Sequence, residues 1–145
     1  GGAPTPGFER TYPTAELDAF LGEADYIACT LPETPETAGL LDAAAFAAMK
    51  PGCYLVNVGR GSLVDENALL QALASGRLSG ASLDVFREEP LPAESPLWHA
   101  DNTLVSAHVA ARSRPGDIAR LFCENYGRWL RGETLNHRVD FDRGY

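Results

Sequence analysis

The sequence has 145 residues, of which 45% are hydrophobic, so it is long enough for one domain with a hydrophobic core. Its formal net charge is −8, from 20 acidic and 12 basic side chains. This charge disfavours nucleic acid or an anionic membrane as a partner, since clustered lysines and arginines bind both, and it leaves a small molecule as the favoured ligand.

Cysteine content and apolar run lengths indicate where the protein works. The three cysteines are an odd number without a C-x-x-C pair, as is typical of reduced thiols. No apolar run approaches the roughly 20 residues that cross a bilayer, and the opening GGAPTPGFER lacks the apolar segment of a signal peptide. We therefore expect a cytoplasmic protein without a membrane span or targeting segment.

Eight elements are predicted from the spacing of the apolar residues. They are, in chain order, a helix over 14–23, a strand over 24–32, a helix over 43–50, a strand over 53–58, a helix over 66–75, strands over 80–86 and 102–108, and a helix between 115 and 132. Asp42 and Asp65 precede the second and third helices, where a short acidic side chain can accept hydrogen bonds from free backbone N–H groups. Gly76 and Gly132 follow the third and fourth helices, at positions where helices commonly end.

The four predicted strands are short, almost continuously apolar and bounded by Gly, Asn, Asp or Pro. Such strands are typical of a parallel sheet that helices cover on both faces. The sequence therefore predicts the α/β class, with an open and mostly parallel sheet. Because ligands of such sheets bind beyond the carboxyl ends of the strands, polar residues that follow the strands are the first candidates for function.

Four charged or titratable residues stand at these strand ends. Arg60 follows the second predicted strand, and His108 ends the fourth. Asp84 and Glu89 lie near the end of the third strand and just beyond it. An arginine can hold a carboxylate through two parallel hydrogen bonds, and a histidine beside a carboxylate exchanges protons near neutral pH. Together these groups suit acid–base chemistry on a small oxo or hydroxy acid.

Two glycines flank Arg60 in the stretch NVGRGS. We expect Gly59 and Gly61 to let the backbone approach a bound ligand closely, since glycine has no side chain to obstruct it.

Each of the four strand-end residues also has an interpretation without a catalytic role. Taken alone, Arg60 fits a surface arginine in a turn, and His108 fits a buried histidine bonded to a backbone carbonyl. Glu89 fits a solvated acid, and Asp84 fits a residue that only caps a loop. Their joint placement at separate strand ends of one sheet favours the functional interpretation.

Other kinds of site have weaker support. Ser62, His108 and Asp84 are the residue types of a Ser-His-Asp hydrolase, but GRGSL is not a G-x-S-x-G nucleophile turn. The three histidines lack the spacing of metal ligands, so no metal site is predicted. The sequence also contains no G-x-G-x-x-G phosphate loop, without which a dinucleotide site is incomplete.

Two long stretches resemble the signature region of the D-isomer-specific 2-hydroxyacid dehydrogenases. They are MKPGCYLVNVGRGSLVDENALLQALASGRLSGASLDVFREEPLP and SPLWHADNTLVSAHVAARS. The resemblance runs from about Leu17 to the C-terminus, and the ending VDFDRGY is similar to the glyoxylate/hydroxypyruvate reductase A group. It implies an oxidoreductase with a Rossmann-type domain, which reduces a 2-oxo acid such as glyoxylate or hydroxypyruvate with NADH or NADPH.

The resemblance also implies roles for individual residues. Arg60 matches the arginine that binds the substrate carboxylate and carbonyl. His108 matches the catalytic histidine, which is the proton donor, and Glu89 matches the acid that pairs with it. Asp84 matches a residue near the nicotinamide carboxamide. The positions implied to line NAD or NADP are Leu31, Pro32, Thr37, Val58, Gly59, Arg60, Asp84, His108 and Ala110.

The chain resembles only part of such an enzyme. Residues 1–112 are similar to the C-terminal part of the NAD(P)-binding domain, and residues 113–145 to a closing helix and tail that pack, in relatives, on a substrate domain. We therefore expect the chain by itself neither to bind cofactor tightly nor to turn over, and the intact protein to form a homodimer. A corepressor-like protein that senses NAD(P) on the same fold is an alternative, whereas Glu89 argues against a formate dehydrogenase, which uses a glutamine near the histidine.

Overall fold

The four predicted strands form one sheet in the computed structural model of the protein, which describes residues 6–142. They are β1 (Tyr26–Cys29), β2 (Cys53–Asn57), β3 (Leu78–Leu83) and β4 (Thr103–Val105), side by side in that order. Every neighbouring pair is parallel, which confirms the predicted α/β class and parallel sheet. Because all four strands run the same way, their carboxyl ends meet at one edge of the sheet.

Each strand is shorter than the apolar run that predicted it, and β4 shows why. The prediction extended this strand to His108, whereas its pairing with β3 ends at Val105. Beyond Val105 the chain turns away from the sheet, and the Asp84 carboxylate binds Ser106, Val109 and Ala110 in this turn. These contacts join residues 22 to 26 positions apart in the chain, so the local apolar pattern does not reveal them.

Four α-helices connect or follow the strands. They are α1 (Leu17–Glu23), α2 (Ala43–Ala48), α3 (Glu66–Ala74) and α4 (Pro115–Leu130), with short 3-10 segments at Thr14–Glu16, Gly61–Leu63 and Pro96–His99. The predicted caps are confirmed, since Asp42 accepts the Ala45 N–H at 2.9 Å and Asp65 accepts two N–H groups at the start of α3. Gly76 follows α3 with a left-handed φ of 72°, as expected where a helix ends.

Helices α1, α2 and α3 pack with one face of the sheet in a single hydrophobic core. Burial alternates along β1, where Ile27 and Cys29 are buried but Tyr26 is 78% exposed. In β4, Leu104 is 67% exposed. The prediction of helices on both faces of the sheet is therefore corrected, since residues 6–142 supply helices to one face. Successive strand residues point to opposite sides of the sheet, and only the residues on one side are covered.

Helix α4 carries the predicted apolar stripe, and this stripe faces solvent. Ile118, Phe122, Tyr126 and Trp129 are each more than half exposed. The last three stack in sequence, with ring centroids 6.2 and 5.9 Å apart. An apolar stripe of this kind is typical of a surface that another domain or chain covers, although its docking on a substrate domain stays a prediction. No helix in the described part of the chain is long and apolar enough to cross a membrane.

Candidate active site

His108 and Glu89 form a hydrogen-bonded pair at the carboxyl edge of the sheet. The Nδ1 atom of His108 lies 2.8 Å from Glu89 Oε2, and Glu89 Oε1 accepts the Phe86 N–H at 2.9 Å. These hydrogen bonds, helped by the charges of His108 and Arg60, lower the pKa of Glu89 below its ordinary value. An ionised carboxylate on Nδ1 orients the imidazole and leaves Nε2 as the atom that exchanges a proton with a ligand.

Asp84 is 3% exposed and holds the turn that carries His108. One of its carboxylate oxygens accepts the Ser106 O–H and the Val109 N–H, and the other accepts the Ala110 N–H at 2.9 Å. Its backbone carbonyl accepts the His108 N–H at 2.7 Å. Burial raises the pKa of Asp84, but these hydrogen bonds and the charge of His108 outweigh burial and keep the pKa below its ordinary value.

The turn held by Asp84 gives His108 an uncommon backbone conformation. Its φ of 53° lies in the left-handed region, which costs free energy in a residue with a side chain and is found where the surrounding structure enforces it. The hold of Asp84 on this turn agrees with the alternative interpretation that it caps a loop. The position of Asp84 beside the nicotinamide stays a prediction.

Arg60 follows the neighbouring strand β2 and is exposed. Its Nη1 donates to the Gly59 carbonyl at 2.7 Å. The guanidinium lies close enough to Glu89 for its charge to contribute to the lowered pKa of that carboxyl group. The structure thus brings Arg60, Glu89 and His108 to one edge of the sheet, while the ligands that they bind stay a prediction.

The glycines on either side of Arg60 face protein backbone rather than open space for a ligand. A Cβ on Gly61 would lie 1.9 Å from the carbonyl carbon of Phe86 and 2.4 Å from the Arg87 nitrogen. A Cβ on Gly59 would lie 2.8 Å from the Leu31 carbonyl oxygen. The absence of a side chain at both glycines lets three loops pack closely, which fixes the arginine between them. The close approach of a ligand to these glycines stays a prediction.

We expect Gly61→Ala to lower the free energy of unfolding of the full-length protein by about 1–3 kcal/mol or more, because the added methyl group overlaps the Phe86 backbone. Equilibrium unfolding in urea measures the change. Gly116→Ala is the matched control, since nothing lies within 4 Å of a Cβ at that position in the first turn of α4. An equal loss in both variants would contradict the close packing at Gly61.

Asn57 is a further residue of this site that the sequence interpretation missed. It ends β2 and is 1% exposed. Its side-chain amide donates to the Arg60 carbonyl and accepts the Gly59 N–H, both at 3.1 Å. A single amide within the apolar run CYLVNV was the signal that could have identified it.

A cleft of about 480 Å³ opens beside the His108–Glu89 pair. The larger apolar side chains that line it are Phe86, Leu91, Trp98 and Val105. Trp98 is held in place by its indole N–H, which donates to the Pro92 carbonyl at 2.8 Å. Neither Leu91 nor Trp98 was predicted, because the loop between β3 and β4 brings them to the site from positions with no motif of their own.

The residues predicted to line NAD or NADP occupy two settings. Leu31 and Val58 follow β1 and β2 and are 43% and 37% exposed, and Ala110 is exposed in the turn after β4. Exposed apolar side chains at adjacent strand ends fit the flat rings of a nicotinamide cofactor. Thr37 instead uses its hydroxyl within its own loop, donating to the Pro32 carbonyl at 2.7 Å. The described residues therefore fit the ring-binding side of the cofactor and contain no glycine-rich phosphate loop.

The alternative Ser-His-Asp site is not assembled. Asp84 binds the turn after β4, and His108 Nδ1 is paired with Glu89. Ser62 keeps its hydroxyl oxygen buried, without a hydrogen-bond partner among residues 6–142. Within the same residues, no group of three His, Cys, Asp or Glu side chains is placed to bind a metal ion.

Comparison with known proteins identifies the family of the chain. Residues 4–110 match the family described as D-isomer specific 2-hydroxyacid dehydrogenase, NAD binding domain. Among solved structures, the family protein from Aeromonas salmonicida is 45% identical, with a TM-score of 0.91, and the match covers 97% of this chain and 46% of that one. The protein from Xanthobacter autotrophicus Py2, in complex with NADPH and MES, is 44% identical, with a TM-score of 0.87, over 90% of this chain and 54% of that one.

A third similar structure has a named activity. It is the NADPH-dependent glyoxylate/hydroxypyruvate reductase from Sinorhizobium meliloti in complex with NADP and sulfate. It is 41% identical, with a TM-score of 0.87, and the match covers 92% of this chain and 44% of that one. The chain thus spans about half the length of these relatives.

Proposed function

We propose, since the chain belongs to the D-isomer-specific 2-hydroxyacid dehydrogenase family, that the intact protein is an NAD(P)-dependent reductase of small 2-oxo acids such as glyoxylate or hydroxypyruvate. The observation that carries the proposal is the His108–Glu89 pair, 2.8 Å apart, on the same sheet edge as Arg60. The choice of substrate is supported by the 41% identity with a glyoxylate/hydroxypyruvate reductase.

In this proposal Arg60 binds and orients the 2-oxo acid. A guanidinium stays charged at any working pH and can donate two parallel hydrogen bonds to a carboxylate. Its backbone is extended, with φ of −141° and ψ of 146°, and is fixed by the close packing of the adjacent glycines. Arg60 therefore holds the acid group in one place and polarises the neighbouring carbonyl oxygen, which develops negative charge during reduction.

His108 supplies the proton that the carbonyl oxygen takes up as it becomes a hydroxyl group. Glu89 holds the imidazole through Nδ1, so Nε2 is the atom that gives the proton. The lowered pKa of Glu89 keeps its carboxylate ionised, so it remains an acceptor for the Nδ1 side of the imidazole. Asp84 acts on the same residue through the backbone, since it holds the turn that carries His108.

NADH or NADPH supplies the hydride for the carbonyl carbon when it is bound. Leu31, Val58 and Ala110 are the exposed apolar residues that would contact its rings at the strand ends. The cleft of about 480 Å³ beside His108 presents an apolar wall to one side of the imidazole. Residues outside this chain would bind the phosphates, because the described residues include no glycine-rich loop.

The proposal also extends to the assembly of the intact protein. Residues 113–145, which include α4, pack on the substrate domain, and the exposed stripe of Phe122, Tyr126 and Trp129 becomes buried there. The coverage of about half of each relative supports a further domain of this kind. The intact protein is a homodimer in this proposal, which light scattering of the purified protein tests.

Turnover by the full-length protein tests the proposed function. Oxidation of NADH and of NADPH is followed with glyoxylate, with hydroxypyruvate and without a 2-oxo acid. We expect oxidation that depends on the 2-oxo acid and yields glycolate or glycerate, and no turnover by residues 1–145 alone. Cofactor binding without turnover of any 2-oxo acid would contradict the proposal and favour a protein that senses NAD(P).

The pH profile provides a prediction specific to Glu89. Because its hydrogen bonds with His108 and the Phe86 N–H lower its pKa, Glu89 stays ionised below the ordinary glutamate value of about 4.3. Activity that needs the ionised carboxylate is therefore present above the lowered pKa and lost as pH falls through it. We expect the acid limb of kcat/KM to lie below pH about 4.3, measured by brief transfer of the enzyme from neutral buffer.

Two checks separate this limb from acid unfolding. Tryptophan fluorescence in each buffer reports folding over the assay time, and activity must return on neutralisation. Glu89→Gln removes the titrating carboxylate. We therefore expect this variant to react more slowly than the wild type and to lack this acid limb. A limb at or above the ordinary glutamate pKa in the folded wild-type protein, or an unchanged limb in Glu89→Gln, would remove Glu89 from the mechanism.

A further inference from the structure

Asn57 contacts the backbone on both sides of the bond that leads into Arg60. Its side-chain oxygen accepts the Gly59 N–H at 3.1 Å, and its side-chain nitrogen donates to the Arg60 carbonyl at 3.1 Å. Asn57 is 1% exposed, which is less than any other polar residue in the described part of the chain that is buried. Burial of an amide costs free energy unless its donor and acceptor are both satisfied, and here the turn after β2 satisfies both.

The strand fixes Asn57 itself. Its Cα pairs with Cys29 of β1 and with Leu83 of β3, so it lies between two strands. Its backbone carbonyl also accepts the Asp84 N–H at 3.0 Å. The backbone of Asn57 is thus fixed in the sheet, and its side-chain amide holds the turn after β2 in place. Neither a carboxylate, which has no donor, nor an apolar side chain can make both contacts.

We propose that Asn57 is a positioning residue for the 2-oxo acid, acting through Arg60. This inference rests on the proposed function, in which Arg60 holds the substrate carboxylate. A two-point hydrogen bond to a carboxylate tolerates little error in angle, so a looser turn weakens it without removing the charge. Asn57 therefore contributes to reduction only as long as Arg60 is present.

A double-mutant cycle in the full-length protein tests this dependence. Asn57→Asp keeps the acceptor for the Gly59 N–H but loses the donor and turns a negative charge toward the Arg60 carbonyl. We expect kcat/KM for glyoxylate to fall about ten- to hundredfold in the wild-type background, mainly through KM, and less than about twofold in an Arg60→Ala background. Asn67→Asp, which adds the same charge at an exposed position of α3, is the control expected to leave kcat/KM unchanged.

The outcomes separate the inference from the proposed function. Equal losses of kcat/KM in both backgrounds would mean a merely structural role for Asn57 and would overturn the inference. Wild-type kcat/KM in Asn57→Asp, with Arg60→Ala still impaired, would also overturn it. Normal activity of Arg60→Ala would overturn the proposed function, and the inference with it. If circular dichroism shows that Asn57→Asp does not fold, Asn57→Ser takes its place in the same cycle with the same criteria.

Discussion

Replacing His108 with asparagine in the full-length protein should lower kcat for glyoxylate reduction by about 10²- to 10⁴-fold, the range that a positioned proton donor contributes. Asparagine removes the imidazole but tolerates the left-handed backbone that His108 adopts, with φ of 53°. Loss of activity then reports the missing proton donor rather than strain in the turn. Steady-state kinetics with saturating NADPH measure the change.

The effect should be confined to the chemical step. We expect His108→Asn to bind NADPH with an affinity close to that of the wild type, as followed by nicotinamide fluorescence, since Leu31 and Val58 are the proposed ring contacts. His99→Ala is the matched control, because His99 is exposed at the end of the 3-10 segment before β4 and should keep wild-type kcat. A wild-type rate in His108→Asn would exclude His108 as the proton donor.

Replacing Arg60 with lysine should lower kcat/KM for glyoxylate by about ten- to hundredfold, which corresponds to the loss of one charge-assisted hydrogen bond worth about 1.5–3 kcal/mol. Lysine keeps the positive charge but loses the planar pair of donors that fits a carboxylate. We expect KM for the 2-oxo acid to rise and kcat to fall, because Arg60 both binds the acid group and polarises the carbonyl. We expect kcat/KM to fall further in Arg60→Ala than in Arg60→Lys.

Arg77→Lys is the control for this substitution. Arg77 precedes β3 and so lies at the amino edge of the sheet, opposite the candidate active site. We expect it to change neither KM nor kcat. Unchanged kinetics in Arg60→Lys, with glyoxylate and with hydroxypyruvate, would show that no two-point contact to the substrate carboxylate exists.

Features that depend on neighbouring residues could be predicted from the sequence. The Asp42 and Asp65 caps were predicted because an N-cap bonds to N–H groups two or three residues away. The parallel sheet followed from apolar runs alternating with helical patterns. The convergence of Arg60 and His108 followed from the rule that carboxyl ends of parallel strands share one edge, which is a property of the fold rather than of any single contact.

Features that depend on contacts between distant parts of the chain could not be predicted. Gly61 packs on the Phe86 backbone, 25 positions away, and nothing in GRGS indicates which backbone will lie there. Asp84 could be named as the cap of a loop, but its partners Val109 and Ala110, 25 and 26 positions away, could not. The open face of the sheet was missed for a different reason: an apolar run predicts burial but does not state which part of a longer protein supplies the cover.

The partner of the imidazole shows what the resemblance added. Glu89 lies in REEPLP, where the residues alone do not distinguish one acid from the next. Its place just beyond the third predicted strand made Glu89 a candidate, and the resemblance gave it the role of partner to the histidine. The contact of 2.8 Å with His108 agrees with that role. The resemblance gave no role to Asn57, whose contacts with the turn after β2 became visible only in the structure.

Transfer of an isotopic label tests the central claim most directly. The full-length protein is incubated with glyoxylate and with NADPH or NADH that carries deuterium on the transferable position of the nicotinamide, and the products are analysed by mass spectrometry. We predict glycolate with one deuterium on its hydroxyl-bearing carbon from the wild type, and almost none in the same time from His108→Asn. Tight binding of the labelled cofactor, with no deuterium in any 2-hydroxy acid, would contradict hydride transfer at this site.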